Sequence, residues 1–212
     1  MAGNTNGGLD GNTLTGTSDF FVTKYNSSGV KQYTKQLGVS TKFTTGLGVA
    51  TDTSGNVYVA GYTSGNLDGN TLIGTQDFFV TKYDSSGVKQ FTKQLGVIPA
   101  DISRGDTGGT SVTTDVGGNV YVSGYTFGSL DGNTITGSRD FFVTKYNSSG
   151  VKQYTKQLGV AGFVTQGLGV ATDVSGNVFV TGYTSGGLDG NTNAGSSFDF
   201  FVTKYNSSGV KQ

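Results

Sequence analysis

Four times along the chain an Asp-Gly-Asn triplet precedes a further aspartate, and these are the residues best suited to chemistry. They are Asp10, Asn12 and Asp19; Asp68, Asn70 and Asp77; Asp131, Asn133 and Asp140; and Asp189, Asn191 and Asp199. Oxygen-rich loops of this kind can ligate calcium, which takes several carboxylate and carbonyl oxygens. The same triplet is what an ordinary tight turn uses, and no full EF-hand or RTX pattern accompanies it. A second candidate group, for a ligand of unspecified class, is Asp101, Arg104 and Asp106. It lies in a segment, Val97 to Thr110, five residues longer than its equivalent at Val39 and containing the only proline, Pro99. That polar, Gly-containing insertion is expected to be dispensable for folding.

Other chemistry is excluded by composition. The chain has no His, Cys, Trp or Glu, so every acidic residue is an Asp and only Asp, Lys and Tyr could transfer protons. A zinc site of ordinary type, a Ser-His-Asp triad, a thiol nucleophile and a disulfide all lack their residues. The expectation is therefore that the protein is not an enzyme. Fourteen basic residues balance fourteen acidic ones, which disfavours nucleic acid and anionic membrane as partners. No run of eighteen apolar residues exists to insert in a bilayer. Met1 leads into Ala-Gly-Asn-Thr-Asn, without the basic and apolar segments of a signal peptide.

The elements that must position these residues are read from a repeat. Asp-Phe-Phe-Val-Thr-Lys-Tyr occurs from Asp19, Asp77, Asp140 and Asp199, at spacings of 58, 63 and 59 residues, near the length of a four-stranded propeller blade. One period holds four strands in a meander: A (Leu47 to Asp52), B (Val57 to Thr63), C (Asp77 to Tyr83) and D (Val88 to Leu95). In the next period A is Ser111 to Asp115. The short turns, such as Asn26 to Gly29, carry Asn, Ser and Gly. Repeats fall roughly at 1–58, 59–121 and 122–179, with a partial one at 180–212. Phe20-Phe21-Val22 and Val57-Tyr58-Val59-Ala60 are continuously apolar, so both faces of each sheet are expected to be covered. Ala60 and Gly61 would suit close approach of adjacent blades, and the aromatics are read as core. Lys24, Lys31 and Lys35 are read as a solvated edge that discourages strand pairing. The meander places the B–C and D–A loops at one end, where binding and variation are expected, and the A–B and C–D turns at the other.

These motifs resemble the bacterial seven-bladed β-propeller repeat called SBBP. The resemblance rests on Gly-Leu-Asp-Gly-Asn-Thr, on Asp-Phe-Phe-Val-Thr-Lys-Tyr-Asn-Ser-Ser-Gly-Val-Lys-Gln and on Gly-Val-Ala-Thr-Asp-x-Ser-Gly-Asn-Val-Tyr-Val-x-Gly-Tyr-Thr. It implies an all-β propeller, secreted or on the cell surface, with no shared catalytic residues. Tyr33, Phe91 and Tyr154 stand in strand D where related repeats often carry Trp. The inventory is three A, three complete B, four C and three complete D strands, with stubs of B at Met1 and D at Gln212. That makes about three and a half blades, fewer than the four a ring requires. The expected function is a structural or binding module that self-associates, as a homodimer of about seven repeats or a longer assembly. The alternative is a lectin-like carbohydrate-binding propeller using the long-loop face, with or without calcium.

Overall fold

The computed structural model describes residues 1–98, 105–195 and 197–212, all in four antiparallel sheets and the loops between them. The first sheet orders β1 (Ala2–Thr5), β2 (Asp19–Tyr25) and β3 (Lys31–Leu37). The second orders β4 (Thr44–Thr51), β5 (Val57–Thr63), β6 (Asp77–Tyr83) and β7 (Lys89–Leu95). The third orders β8 (Thr107–Thr114), β9 (Val120–Thr126), β10 (Asp140–Tyr146) and β11 (Lys152–Leu158). The fourth orders β12 (Thr165–Thr172), β13 (Val178–Thr184) and β14 (Asp199–Tyr205). The fold is an open run of propeller blades, I to IV. Blade I has strands B, C and D, blades II and III have all four, and blade IV has A, B and C. The stub of B at Met1 is itself a strand: Ala2–Thr5 pairs with Asp19–Val22.

Local chemistry explains each turn. After strand C, Asn26 Oδ1 accepts from the amides of Ser28 (3.0 Å) and Val30 (2.9 Å), and Gly29 supplies the positive φ of 75° that closes the turn. After strand A, Asp52 does the same work with both oxygens. Oδ1 accepts from Ser54 and Asn56 amides, and Oδ2 from the Asn56 side chain and the Tyr58 hydroxyl. Asp115 repeats this with Asn119 and Tyr121.

The A strands start earlier than the sequence pattern implies, at Thr44, Thr107 and Thr165. A β-bulge at Leu47, Thr110 and Leu168 shifts their register against strand B and breaks the two-residue alternation that would have revealed them. Thr107 to Thr110 is consequently strand, and Val97 is buried. Gly61 lies at the close approach of adjacent blades that the sequence suggests: a Cβ on Gly109 of the next blade would come within 3.1 Å of the Gly61 carbonyl oxygen, and a Cβ on Gly61 itself would overlap the Thr45 carbonyl of its own sheet.

The core lies between blades rather than within them. Phe20 and Val22 of blade I pack on Val57, Val59, Leu67, Phe79 and Tyr83 of blade II, and the two further junctions repeat this set. At each junction the first Phe of a C strand stacks on the second Phe of the next. Phe20 meets Phe79 at 4.9 Å, Phe78 meets Phe142 at 4.7 Å and Phe141 meets Phe201 at 4.9 Å. Strand-D aromatics Tyr33, Phe91 and Tyr154 cover Gly87, Gly150 and Gly209 in the C–D turn of the following blade. Burial pushes the Tyr154 phenol up to about 12, with Asp115 adding to the shift. Lys24 corrects the reading of a solvated edge. Its ammonium donates to Ser85 O of the next blade at 3.0 Å, as Lys82 does to Ser148 O and Lys145 to Ser207 O.

Two outcomes are expected. Phe78→Ala should lose about 3–5 kcal/mol, read as a lower urea midpoint, because it opens a cavity in the fully buried cluster at a junction. In acid, burial pushes the Asp52 and Asp115 carboxyls up, but the hydrogen bonds from Asn56, Tyr58, Asn119 and Tyr121 outweigh it and hold both below the usual range. A carboxyl depressed in the folded state stabilises above its unfolded value of about 3.9 and loses that contribution as pH falls through the folded one. Thermal melts should thus be flat from neutral pH to about pH 5 and fall steeply below about pH 4. Asp52→Asn should lower the melting temperature at pH 7 and flatten the acid limb.

Candidate binding surface

Both sets of long loops do gather at one end. Ser18 and Phe43, Gln76 and Asp106, and Arg139 and Val164 form parallel bridges between a B–C loop and the following D–A loop. Lys24, at the opposite end of its strand, touches the turns at Gly55 and Ser85.

Most oxygens of the Asp-Gly-Asn loops are already engaged. The triplet makes a short 3-10 turn in blades II to IV, in which Asp68, Asp131 and Asp189 have φ of 54°, 54° and 57°; Asp10 has 56°. Each of these aspartates pairs with a lysine of strand D: Asp10 with Lys31, Asp68 with Lys89, Asp131 with Lys152 and Asp189 with Lys211. The Lys31 ammonium beside Asp10 holds that carboxyl below its usual range. Asn12, Asn70, Asn133 and Asn191 donate from Nδ2 to the carbonyl of the preceding Leu at 2.8–2.9 Å.

The strand-C aspartates face inward instead. Asp19, Asp77 and Asp140 are fully buried, each accepting two loop amides and a side-chain donor from Gln36, Gln94 or Gln157 at 3.0 Å. Asp199 accepts the Ala194 amide at 2.7 Å. The loops are thus closed by internal hydrogen bonds, and no group of three carboxylates able to hold a metal forms among the described residues.

Of the insertion candidates, Asp101 and Arg104 lie outside the described residues. Asp106 sits at the long-loop end, where it accepts from the Thr75 hydroxyl. Around it lies a group that sequence reasoning missed. Tyr62 meets Phe43 edge-on at 6.0 Å, Tyr125 meets Phe127 at 6.0 Å and Tyr183 meets Phe198 at 4.8 Å. Arg139 lies over both Tyr125 (5.1 Å) and Phe127 (4.6 Å) and reaches Gln166 of the next blade. Burial raises the Tyr125 phenol, with Tyr62 raising it further and Arg139 opposing.

A signal for this group was present. Near-identical repeats differ at the residue before the strand-C aspartate (Ser18, Gln76, Arg139, Phe198) and at the second residue of strand A (Thr45, Gly108, Gln166). Both positions converge here, beside Tyr62, Tyr125 and Tyr183, whose place in blade I is taken by Asn4. The long-loop end is therefore a half-buried aromatic surface whose rim changes from blade to blade.

Melting in millimolar calcium and in chelator should give the same midpoint, because the aspartates have lysine, amide and glutamine partners. A calcium-dependent rise would place a native-state metal in these loops.

No curated protein matches the chain. A family model described as a beta-propeller repeat, SBBP, matches it twice, over residues 32–68 and 153–189. Each matched stretch runs from strand D of one blade through A and B of the next and into the Asp-Gly-Asn turn. The matches thus cross the junctions where the core lies, and over these two stretches the chain is similar to the beta-propeller repeat of the SBBP family.

Proposed function

We propose that this chain is a non-enzymatic structural or binding module, extracellular or on a cell surface, that self-associates head to tail through its terminal blade faces. The module character follows from the repeat family. The observation supporting self-association is that the two ends expose opposite halves of one repeated junction. On blade IV, Phe200 is 85% and Val202 58% exposed, where their counterparts Phe78, Phe141, Val80 and Val143 are at 0%. On blade I, Tyr25 is 49% exposed, where Tyr83 and Tyr146 are at 3–4%. Each exposed set has the shape that its siblings bury against the other. Lys204 continues the lysine series of Lys24, Lys82 and Lys145, and the Ser27 carbonyl of a second copy would be its acceptor. Such contact is heterologous, so it closes into a ring or extends as a filament according to the angle between copies.

The extracellular setting rests on the family resemblance. A second reading, carbohydrate recognition at the long-loop end, is favoured by the Tyr62, Tyr125 and Tyr183 pairs with Phe43, Phe127 and Phe198. A glycan array on which Tyr125→Ala loses the signal would support it, and a blank array counts against it.

Light scattering over a dilution series should give a mass rising above 21.9 kDa with concentration. Phe200→Ser and Tyr25→Ser, both at exposed positions, should each return the chain to that mass with its strand content unchanged by circular dichroism. A wild-type chain at 21.9 kDa throughout would overturn the reading.

A further inference from the structure

Blade III departs from its siblings at three positions that meet at the long-loop end. Strand A carries Gly108 where blades II and IV have Thr45 and Gln166. Strand B is followed by Phe127 where they have Ser64 and Ser185, and strand C is preceded by Arg139 where blades I, II and IV have Ser18, Gln76 and Phe198. All three departures surround the Tyr125 ring. A Cβ on Gly108 would come within 2.7 Å of that ring, so the glycine lets the tyrosine lie against the strand-A backbone. The Arg139 guanidinium covers Tyr125 and Phe127 together, and the Phe127 amide donates to Asp106 O at 3.1 Å, which brings Asp106 to the same place.

The change at Phe127 costs the fold a bond. In blades II and IV the serine hydroxyl accepts a loop amide, Ser64 from Phe43 at 3.2 Å and Ser185 from Val164 at 3.0 Å. A phenylalanine cannot accept it. A repeat that breaks its own local rule without a structural gain marks a position kept for something other than folding.

Arg139 also carries a charge that the fold does not answer. Its Nη1 donates to Oε1 of Gln166, a neutral group that accepts the Tyr183 hydroxyl as well, at 2.9 Å. Its Nε is enclosed and meets no acceptor, while Nη2 makes no hydrogen bond and is not enclosed. The ion pairs among the described residues all join an Asp-Gly-Asn aspartate to a strand-D lysine, so none involves Arg139, and Asp106 is engaged by the Thr75 hydroxyl. A half-buried guanidinium held flat on two rings is ordered before any ligand arrives, and a carboxylate supplies both the missing charge and acceptors of matching geometry.

We propose, resting on the carbohydrate reading of the long-loop end, that blade III holds an acidic-saccharide site in which Arg139 binds the carboxylate of a uronic or sialic acid. Nη2 takes a carboxylate oxygen, the edges of Tyr125 and Phe127 take the C–H face of the sugar ring, and Asp106 accepts from a ring hydroxyl. The charge selects acidic over neutral sugars, and the aromatic pair selects a sugar over a bare anion.

The test is titration calorimetry of the 212-residue chain at physiological salt with an oligogalacturonate, a glucuronate-terminated oligosaccharide and sialyllactose, each paired with its methyl ester. Esterification keeps the sugar and removes the charge. At least one acid should bind saturably and its ester weaker by about tenfold or more, the size expected for losing a charge-assisted hydrogen bond. Arg139→Gln, which installs the residue that blade II carries at this position, should lower the acid to the level of the ester and leave the ester unchanged. Phe127→Ser, the residue of blades II and IV, should weaken acid and ester alike, with strand content in both variants checked by circular dichroism. Equal binding of acid and ester, or undiminished binding of the acid to Arg139→Gln, would overturn the acidic site while leaving the carbohydrate reading in place. Displacement of the acid by an equal concentration of inorganic sulfate would overturn it too, since a bare anion would then suffice. No binding of any acid or ester at millimolar concentration would overturn both.

Discussion

The contact on which the structure depends is the stack between the first phenylalanine of one C strand and the second of the next, at 4.7–4.9 Å. A single blade is too thin to enclose a core, since its strands are apolar on both faces and each face finds cover only on a neighbour. Consecutive Phe-Phe residues solve this because side chains alternate across a strand, sending one ring forward and one back. Around each stack the lysine-to-carbonyl tie and the glycine under the strand-D aromatic fix the same relative placement, so one junction geometry is repeated. Stacked pairs add about 0.5–1.5 kcal/mol beyond the area they bury, but their larger effect is to set the spacing at which everything else meets.

That repetition makes the ends of the array unlike its middle. Every internal face is dry, whereas Phe200, Val202 and Tyr25 keep the same side chains in water. Stability in such arrays is close to a sum of units and nearest-neighbour interfaces.

Variable and invariant residues segregate along the strands. At the short-turn end, aspartate and asparagine side chains are consumed by turn amides, and substitution there would cost the turn. At the long-loop end, the position ahead of the buried strand-C aspartate carries Ser18, Gln76, Arg139 or Phe198 on one unchanged backbone. The aspartate itself absorbs the structural demand, tying loop amides and a strand-D glutamine together. Its neighbour is thereby free to vary and to shape the aromatic surface built by Tyr62, Tyr125 and Tyr183.

Repetition itself was legible in the sequence: Asp-Phe-Phe-Val-Thr-Lys-Tyr marks each C strand to the residue, because an apolar run bounded by charged and turn residues has few other readings. The meander, the end shared by the long loops and the burial of both sheet faces followed from it. The start of strand A was not legible, because the bulge at Leu47, Thr110 and Leu168 removes the alternation and leaves Thr and Gly, which read equally as loop. The roles of charged residues were decided only in three dimensions. Asp10 and Asp19 have the same side chain nine residues apart, yet Asp19 is buried against amides and Asp10 meets Lys31 at the surface. Likewise, Lys24 and Lys31 sit in one hairpin, but only the end of strand C lies within reach of the next blade's carbonyls. Sequence fixes which groups exist and their order along a strand; what each one touches depends on the neighbouring blade, which lies about sixty residues away in the chain.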